Sequence, residues 1–303
     1  MKALAAAVFL VLVSPAAAVP PAVPFAPLQE ADPFEGAWSP EALEQAAEPI
    51  IEAWRKGGPQ AGDAALEVAL ARADGAPERA RILTAYGVYL MVENTSEDLT
   101  IGSTLALPYM QRALDEGRSG FPADSRMLAV LLHDAATTEF MARGPDTSAT
   151  AEAWLEEAHG IRRDRLGASH PETLSSLVKL AEIRGQPQRL ENDPARIDAV
   201  SRLYERLLTA EPGEEGDLDY AFAGWMGFLV DARRPDEACA VLQKVNQQAE
   251  RLRLNMDYIG FGLGEKLMEA GYEDRGKPLV MELDVLSFLT GGDRSGNPPR
   301  CGP

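Results

Sequence analysis

Cations, histidines and cysteines are all scarce in this chain. Its 303 residues hold 29 Lys plus Arg against 47 Asp plus Glu, for a net charge of −18, with three histidines and two cysteines. Phosphate backbones and anionic headgroups are held by clustered cations, so this balance argues against nucleic-acid binding and against an anionic membrane surface. It favours solubility and, in any partner, basic character. The cysteines, Cys239 and Cys301, lack the close Cys-x-x-Cys spacing of a metal or redox site. In an oxidising compartment they can form one disulfide tying the C-terminal tail to a helix. A buried Cys239 with a free thiol at Cys301 fits the sequence equally well.

Motifs that carry chemistry are also missing. There is no Gly-x-Ser-x-Gly elbow, no Walker loop and no HExxH. His133-Asp134 with Glu139 comes nearest to a metal or acid–base face, but a spacing of six does not align two ligands on a helix. His159 sits beside Gly160 and His170 in a turn, both read as structural. The expectation is no catalytic residue, no metal, no cofactor and no enzymatic activity. The glycine cluster Gly260, Gly262 and Gly264 follows no strand and reads as close helix packing. Trp38, Trp54, Trp154 and Trp225 are spaced as core residues, and Glu156-Glu157 and Glu211–Asp219 as solvated faces or loops.

Long apolar runs are absent after the first residues. Lys2, the apolar stretch Ala3 to Val13 and Ala16-Ala17-Ala18 form the three parts of a secretory signal peptide over 1–18. Its apolar run falls short of the roughly 20 residues that span a bilayer. Export is therefore expected, to the periplasm or outside the cell, with no integral membrane segment after cleavage. Residues 19–37 are proline-dense and read as a flexible tether. Beyond Thr290, GGDRSGNPPRCGP has turn composition, so 290–303 is expected to be a disordered tail.

What remains is rich in Ala and Leu, with apolar residues recurring every three or four positions. That is helical periodicity. The spacing predicts helices over 40–55 (Ser39 as N-cap, Gly57-Gly58 as stop), 61–73, 77–92, 103–116, 125–143 and 150–166. Further helices are predicted over 171–184, 194–210, 218–232, 235–254, 256–270 and 272–289. Short turns join them in pairs, so the fold class is all-α, an antiparallel helix-pair solenoid.

The segment Ala151 to Ile183 carries the most specific signal. Ala151, Leu155 and Ala158 give a small–bulky–small series on a second helix, followed by Ile161-Arg162, Leu166-Gly167 and His170-Pro171. These residues resemble the tetratricopeptide (TPR) repeat, and the linker resembles that of kinesin light chains. Phe222–Val245, Leu263–Leu283 and Tyr86–Ala113 follow the pattern less closely. In the unit from Pro171, Val200 and Leu207 replace small residues, so a looser crossing is expected there. The resemblance implies a TPR-like domain over 38–289 whose first helices line a concave, partner-binding face. By that analogy the lining includes Glu172, Lys179, Glu182, Tyr220, Asp231, Tyr258 and Glu265, facing a protein or a peptide of basic or amide-rich character. An envelope assembly factor or chaperone is the alternative reading.

Overall fold

A computed structural model of the protein describes residues 38, 40–93, 99–186, 193–210, 218–281 and 299–302. The signal-peptide and tether readings, and the proposed Ser39 cap, lie outside them. Twelve α-helices and two short 3-10 turns make up the elements among these residues. α1 (Pro40–Arg72), α2 (Ala76–Glu93), α3 (Leu99–Gly120) and α4 (Arg126–Arg143) come first, each packed on the next. α5 (Ala149–Leu166), α6 (Pro171–Arg184) and α7 (Pro194–Glu205) follow. The C-terminal part holds α8 (Asp219–Asp231), α9 (Pro235–Asn246), the single turn α10 (Ala249–Leu252), α11 (Met256–Glu269) and α12 (Glu273–Met281).

Local chemistry sets the boundaries. Ser125, Ser148, Asp193 and Asn255 accept backbone N–H groups at the starts of α4, α5, α7 and α11, each satisfying a donor the helix leaves unpaired. Pro171, Pro194 and Pro235 occupy first turns, where a missing N–H does no harm. Inside α1 the backbone leaves helical geometry at Gly58, with φ 74° and ψ −168°. The following Pro59 disfavours the helical region for its predecessor, so the two predicted helices meet there in a kink.

Besides the helix predicted over 103–116, which runs Leu99–Gly120, two boundaries differ from the sequence expectation. The helix predicted over 235–254 stops at Asn246, and a separate turn, α10, follows. Tertiary ties explain the break. Arg251 donates to the carbonyls of Ala210 and Leu208 at 2.7 and 2.6 Å, and Leu252 is buried. The helix predicted over 194–210 tightens into a 3-10 turn at Arg206–Thr209.

Each helix packs mainly on its neighbours in sequence, and the core follows the stack. One buried cluster runs from Ile50 to Ala158, a small one joins Ala136, Leu155 and Ile183, and a third spans Leu174 to Leu279. Trp154 packs against the first two and Leu203 against the last two, so the core is continuous. Ala106, Ala113, Ala151, Ala158 and Ala238 are fully buried at crossings, where a small side chain lets helix axes approach. Trp225 is buried, donates to Ser201 Oγ at 2.9 Å and stacks on Tyr204. Trp54 meets Tyr89 edge-on, as Trp38 meets Phe121.

The tail corrects an expectation. Residues 299–302, inside the segment read as disordered, lie against the C-terminal helices, and Cys239 is disulfide-bonded to Cys301. The covalent bond, one of the two readings the sequence left open, and the contacts beside it hold these four residues.

Candidate functional site

The first helices of the last three pairs, α6, α8 and α11, lie side by side and leave three adjoining hollows between them. A space of about 430 Å³ separates α6 from α8, lined by Leu174, Val178, Leu218 and Ala221 with Glu172, Lys179, Glu182 and Tyr220 at its edge. A second, about 200 Å³, continues from Glu182 and Tyr220 past Phe140, Gly224 and Phe228 to Asp231. A third, about 260 Å³, lies between Tyr220 and Tyr258 above Asp219 and Asn255. Tyr220 lines all three hollows and Glu182 two of them, which makes the three one groove.

Helical periodicity explains this lining. Glu172, Ser175, Lys179 and Glu182 fall at intervals of three or four along α6, and Tyr220, Gly224 and Asp231 share one stripe of α8, on which Gly227 also falls outside the hollows. Six of the seven residues expected from the sequence therefore meet here. Glu265 does not; it stands exposed on α11, outside the hollows.

The charge of the groove departs from the acidic average of the chain. Lys179 Nζ lies 2.5 Å from Glu182 Oε2 and 5.5 Å from the Phe140 ring centre. Lys266 Nζ lies 2.9 Å from Asp231. Glu172 is paired with Arg126 and stands 3.6 Å from Arg162. Burial works to raise the Glu172 carboxyl, but the hydrogen bond and charge of Arg126, with Arg162, outweigh it and hold the group below its ordinary range. Asp219 accepts the Asn255 backbone N–H at 3.0 Å. Three of the expected acids are thus matched locally, and the widest hollow is lined chiefly by aliphatic carbon. Tyr220 and Tyr258 stand 64 % and 38 % exposed at the rim. The charge of Glu182, then burial, raises the Tyr220 phenol above its usual value.

Sequence reasoning passed over the floor of the groove. A side chain on Gly224 would meet nothing nearer than Tyr204 Oη at 3.9 Å, and one on Gly227 nothing nearer than Lys266 Cγ at 3.9 Å. Neither glycine is required by packing, and glycine inside a helix costs roughly 1 kcal/mol relative to alanine. In contrast, a side chain on Gly264 would stand 2.8 Å from Leu279 and Val280, so glycine is required there by the α11–α12 contact. The available signal was a pair of glycines three apart, Gly224 and Gly227, on an otherwise apolar helix.

The histidines do not converge. His133 Nδ1 lies 3.3 Å from Ser176 Oγ, His159 Nδ1 donates to the Thr173 carbonyl at 3.1 Å, and His170 caps α6 by accepting from Glu172 N. Glu139 accepts from Ser148 N instead of joining His133. Among the described residues no three His, Cys, Asp or Glu are grouped as metal ligands, and no helix is long and apolar enough to cross a membrane. A separate hollow of about 280 Å³ lies between the second helices α7 and α9, where Lys244 pairs with Glu205 and Arg234 with Asp198.

Neither a protein-family model nor a curated protein matches the chain. Solved structures do. The chain is similar to a point variant of the nearly identical TPR-like repeats of a Podosopora anserina protein described as a kinesin light chain. The identity is 17 %, over 70 % of this chain and 96 % of that one, with a TM-score of 0.50. A second structure of those repeats gives 16 % identity over 71 % and 99 % of the two chains, with a TM-score of 0.49. At that identity the likeness speaks for architecture, and it agrees with the helix pairs described above: the fold of this chain is the TPR-like helical repeat.

Proposed function

We propose that this chain is an exported scaffold that binds a protein partner through a peptide segment laid along the groove of α6, α8 and α11. The observation that carries the reading is the glycine floor: a methyl group on Gly224 would meet only the Tyr204 hydroxyl, at an ordinary 3.9 Å, and would favour the helix, yet glycine stands there beside an aliphatic slot and two exposed tyrosines. Such a surface suits a backbone passing close over α8, with one apolar side chain seated between Leu174, Val178 and Leu218. The internal ion pairs take up much of the acidity, so basic residues of the partner would be met mainly at the rim, by Glu265 and by the excess negative charge around the groove. Export is supported by the signal-like first 18 residues and by a disulfide of the kind that persists in oxidising compartments. Scaffolding, not catalysis, suits a chain whose three histidines each make a contact within the fold, away from the linings of the groove.

The test is affinity capture from envelope extract with residues 19–303 as bait. One control carries Gly224→Leu with Tyr220→Ala, and a second carries Lys244→Glu on α9. Partners lost only with the first control support the groove; partners retained by all three baits sink it. The assembly-factor reading is favoured by a different observation. Val88, Val92, Ile101 and Leu105, on α2 and α3, are 39–67 % exposed, and single apolar side chains that recur at i, i+4 form a ridge another protein can cover.

A further inference from the structure

The four-residue segment 299–302 touches three helices at once. Cys301 is bonded to Cys239 of α9, with Cα atoms 5.9 Å apart. Asn246, at the end of the same helix, donates through Nδ2 to the Pro299 carbonyl at 3.1 Å. Pro299 lies over Gly260 of α11, where an added methyl group would stand 2.8 Å from its Cβ. Gly302 donates its N–H to the Arg275 carbonyl at 3.2 Å and presses against Asp274, so closely that an added methyl would come within 2.0 Å of that carbonyl oxygen. Both cysteines also pack on the C-terminal core cluster.

This segment does for the last helix pair what a following repeat does for the others. In a repeat stack each unit is stabilised by its neighbours, and among the described residues no helix follows α12. The side-chain link between α9 and α12 is the ion pair of Arg275 with Asp236, which is open to solvent on the aspartate side; an exposed pair of this kind adds little. The segment fills the cleft beside that pair from α9 to α12 and rests on α11 between them.

We infer that residues 299–302 form a covalently latched strap that holds α11 and α12 on α9, and that thiol–disulfide exchange at Cys239–Cys301 releases it. Both cysteines are half-buried, so a small dithiol reaches them. One thiolate of the dithiol attacks a sulfur of the bond and displaces the other, and its second thiol then closes the reagent's own disulfide. Cys239 and Cys301 gain two electrons and two protons, and the dithiol loses both. Without the bond, the strap keeps the side-chain hydrogen bond from Asn246, the backbone one from Gly302 and the Pro299–Gly260 contact, and α11 and α12 open more often. Because α11 also presents Tyr258 and, through Lys266, holds Asp231, the latch controls one wall of the groove whatever that groove binds.

The test compares amide exchange in oxidised mature protein, in protein reduced with dithiothreitol and alkylated, and in Cys301→Ser. The bond closes a loop over a separation of 62 residues. Its loss should speed exchange across 256–281 by at least roughly tenfold, with α2 to α5 unchanged. Asn246→Ala should give a smaller rise confined to the same helices. Unchanged exchange in α11 and α12 after both thiols are shown alkylated would overturn the strap. Equal acceleration along the whole chain would overturn it too, since the bond would then be a global staple. Two free thiols in protein purified from an oxidising compartment would remove its basis. The reduced arm decides the matter even where Cys301→Ser fails to fold.

Discussion

Arg162 of α5 reaches across to α6 and donates through Nη1 to Ser176 Oγ at 2.7 Å and to the Glu172 carbonyl at 3.1 Å. Its side chain is 6 % exposed. Burial disfavours the charged guanidinium, and Glu172 and Asp134 oppose that effect. The α5–α6 crossing thus rests on a buried cation whose partners leave it nowhere else to go. Replacing it removes hydrogen bonds from a charged donor and strands their acceptors, a loss of about 2–3 kcal/mol. Arg162→Met should lower the urea-unfolding free energy by that amount, and Arg162→Lys should recover little of it, because lysine lacks the rigid guanidinium plane that aims Nη1 at both acceptors and sets Nε 3.6 Å from Glu172 Oε2. A loss under about 0.5 kcal/mol would mean the crossing is held by its apolar contacts alone.

That crossing also shows how much the sequence disclosed. Ile161-Arg162 and His170-Pro171 were legible as one linker because spacing along a chain is preserved in folding: Arg162 became the cross-link and His170 the cap of α6. The stripes of α6 and α8 were legible for the same reason, as periodicity fixes which residues share a face. Pairings between helices were not. Nothing local in the sequence indicates that Lys266 meets Asp231, that Arg126 meets Glu172, or that both take negative charge out of the groove. The tail was misread because a four-residue contact held by a disulfide has no periodicity, and its glycines and prolines match loop composition.

Two neighbours on α4 titrate in opposite directions. Burial raises the Asp134 carboxyl to about 6, with Arg162 opposing, and it lowers His133 to about 3, with the charges of Arg162 and Lys179 acting the same way. A carboxyl raised in the fold favours the native state while protonated, so that benefit fades as pH climbs from about 4 to 6. A histidine depressed in the fold costs stability once the unfolded chain can protonate, so its loss grows as pH falls below about 6.5. The two slopes cancel in much of the same window. Asp134→Asn should therefore stabilise the protein by about 2 kcal/mol at pH 7 and hardly at all at pH 4. His133→Gln should compare most favourably with the parent at pH 4. Urea unfolding across pH 4 to 7 checks both, and parallel profiles for parent and variants would show that neither group is as buried as described.

Tyr220 and Glu182 stand on different helices, and the Glu182 charge is the largest cause of the raised Tyr220 phenol. Glu182→Gln should bring that phenol down toward its ordinary value, seen as an earlier rise in tyrosinate absorbance during an alkaline titration. A Tyr220→Phe background, which lacks the signal, assigns it. No change would place the two side chains farther apart than the groove requires.

Glycines of two kinds give the sharpest contrast along the groove. A methyl group on Gly264 would stand 2.8 Å from Leu279 Cβ and Val280 Cγ2 and 3.1 Å from the Gly276 carbonyl, so Gly264→Ala must push α12 away and should cost about 1–3 kcal/mol. A methyl group on Gly224 would meet nothing across the groove nearer than 3.9 Å, so Gly224→Ala should gain about 0.5–1 kcal/mol from helix preference alone. Gly224→Leu should remain folded, with thermal unfolding close to the parent, while its side chain occupies the space over α8. If the groove takes a peptide backbone, that variant loses its partners even though nothing in the core has moved. The three substitutions together separate a glycine kept for packing from one kept for access: a destabilised Gly224→Ala would assign Gly224 to packing and leave the groove without its floor.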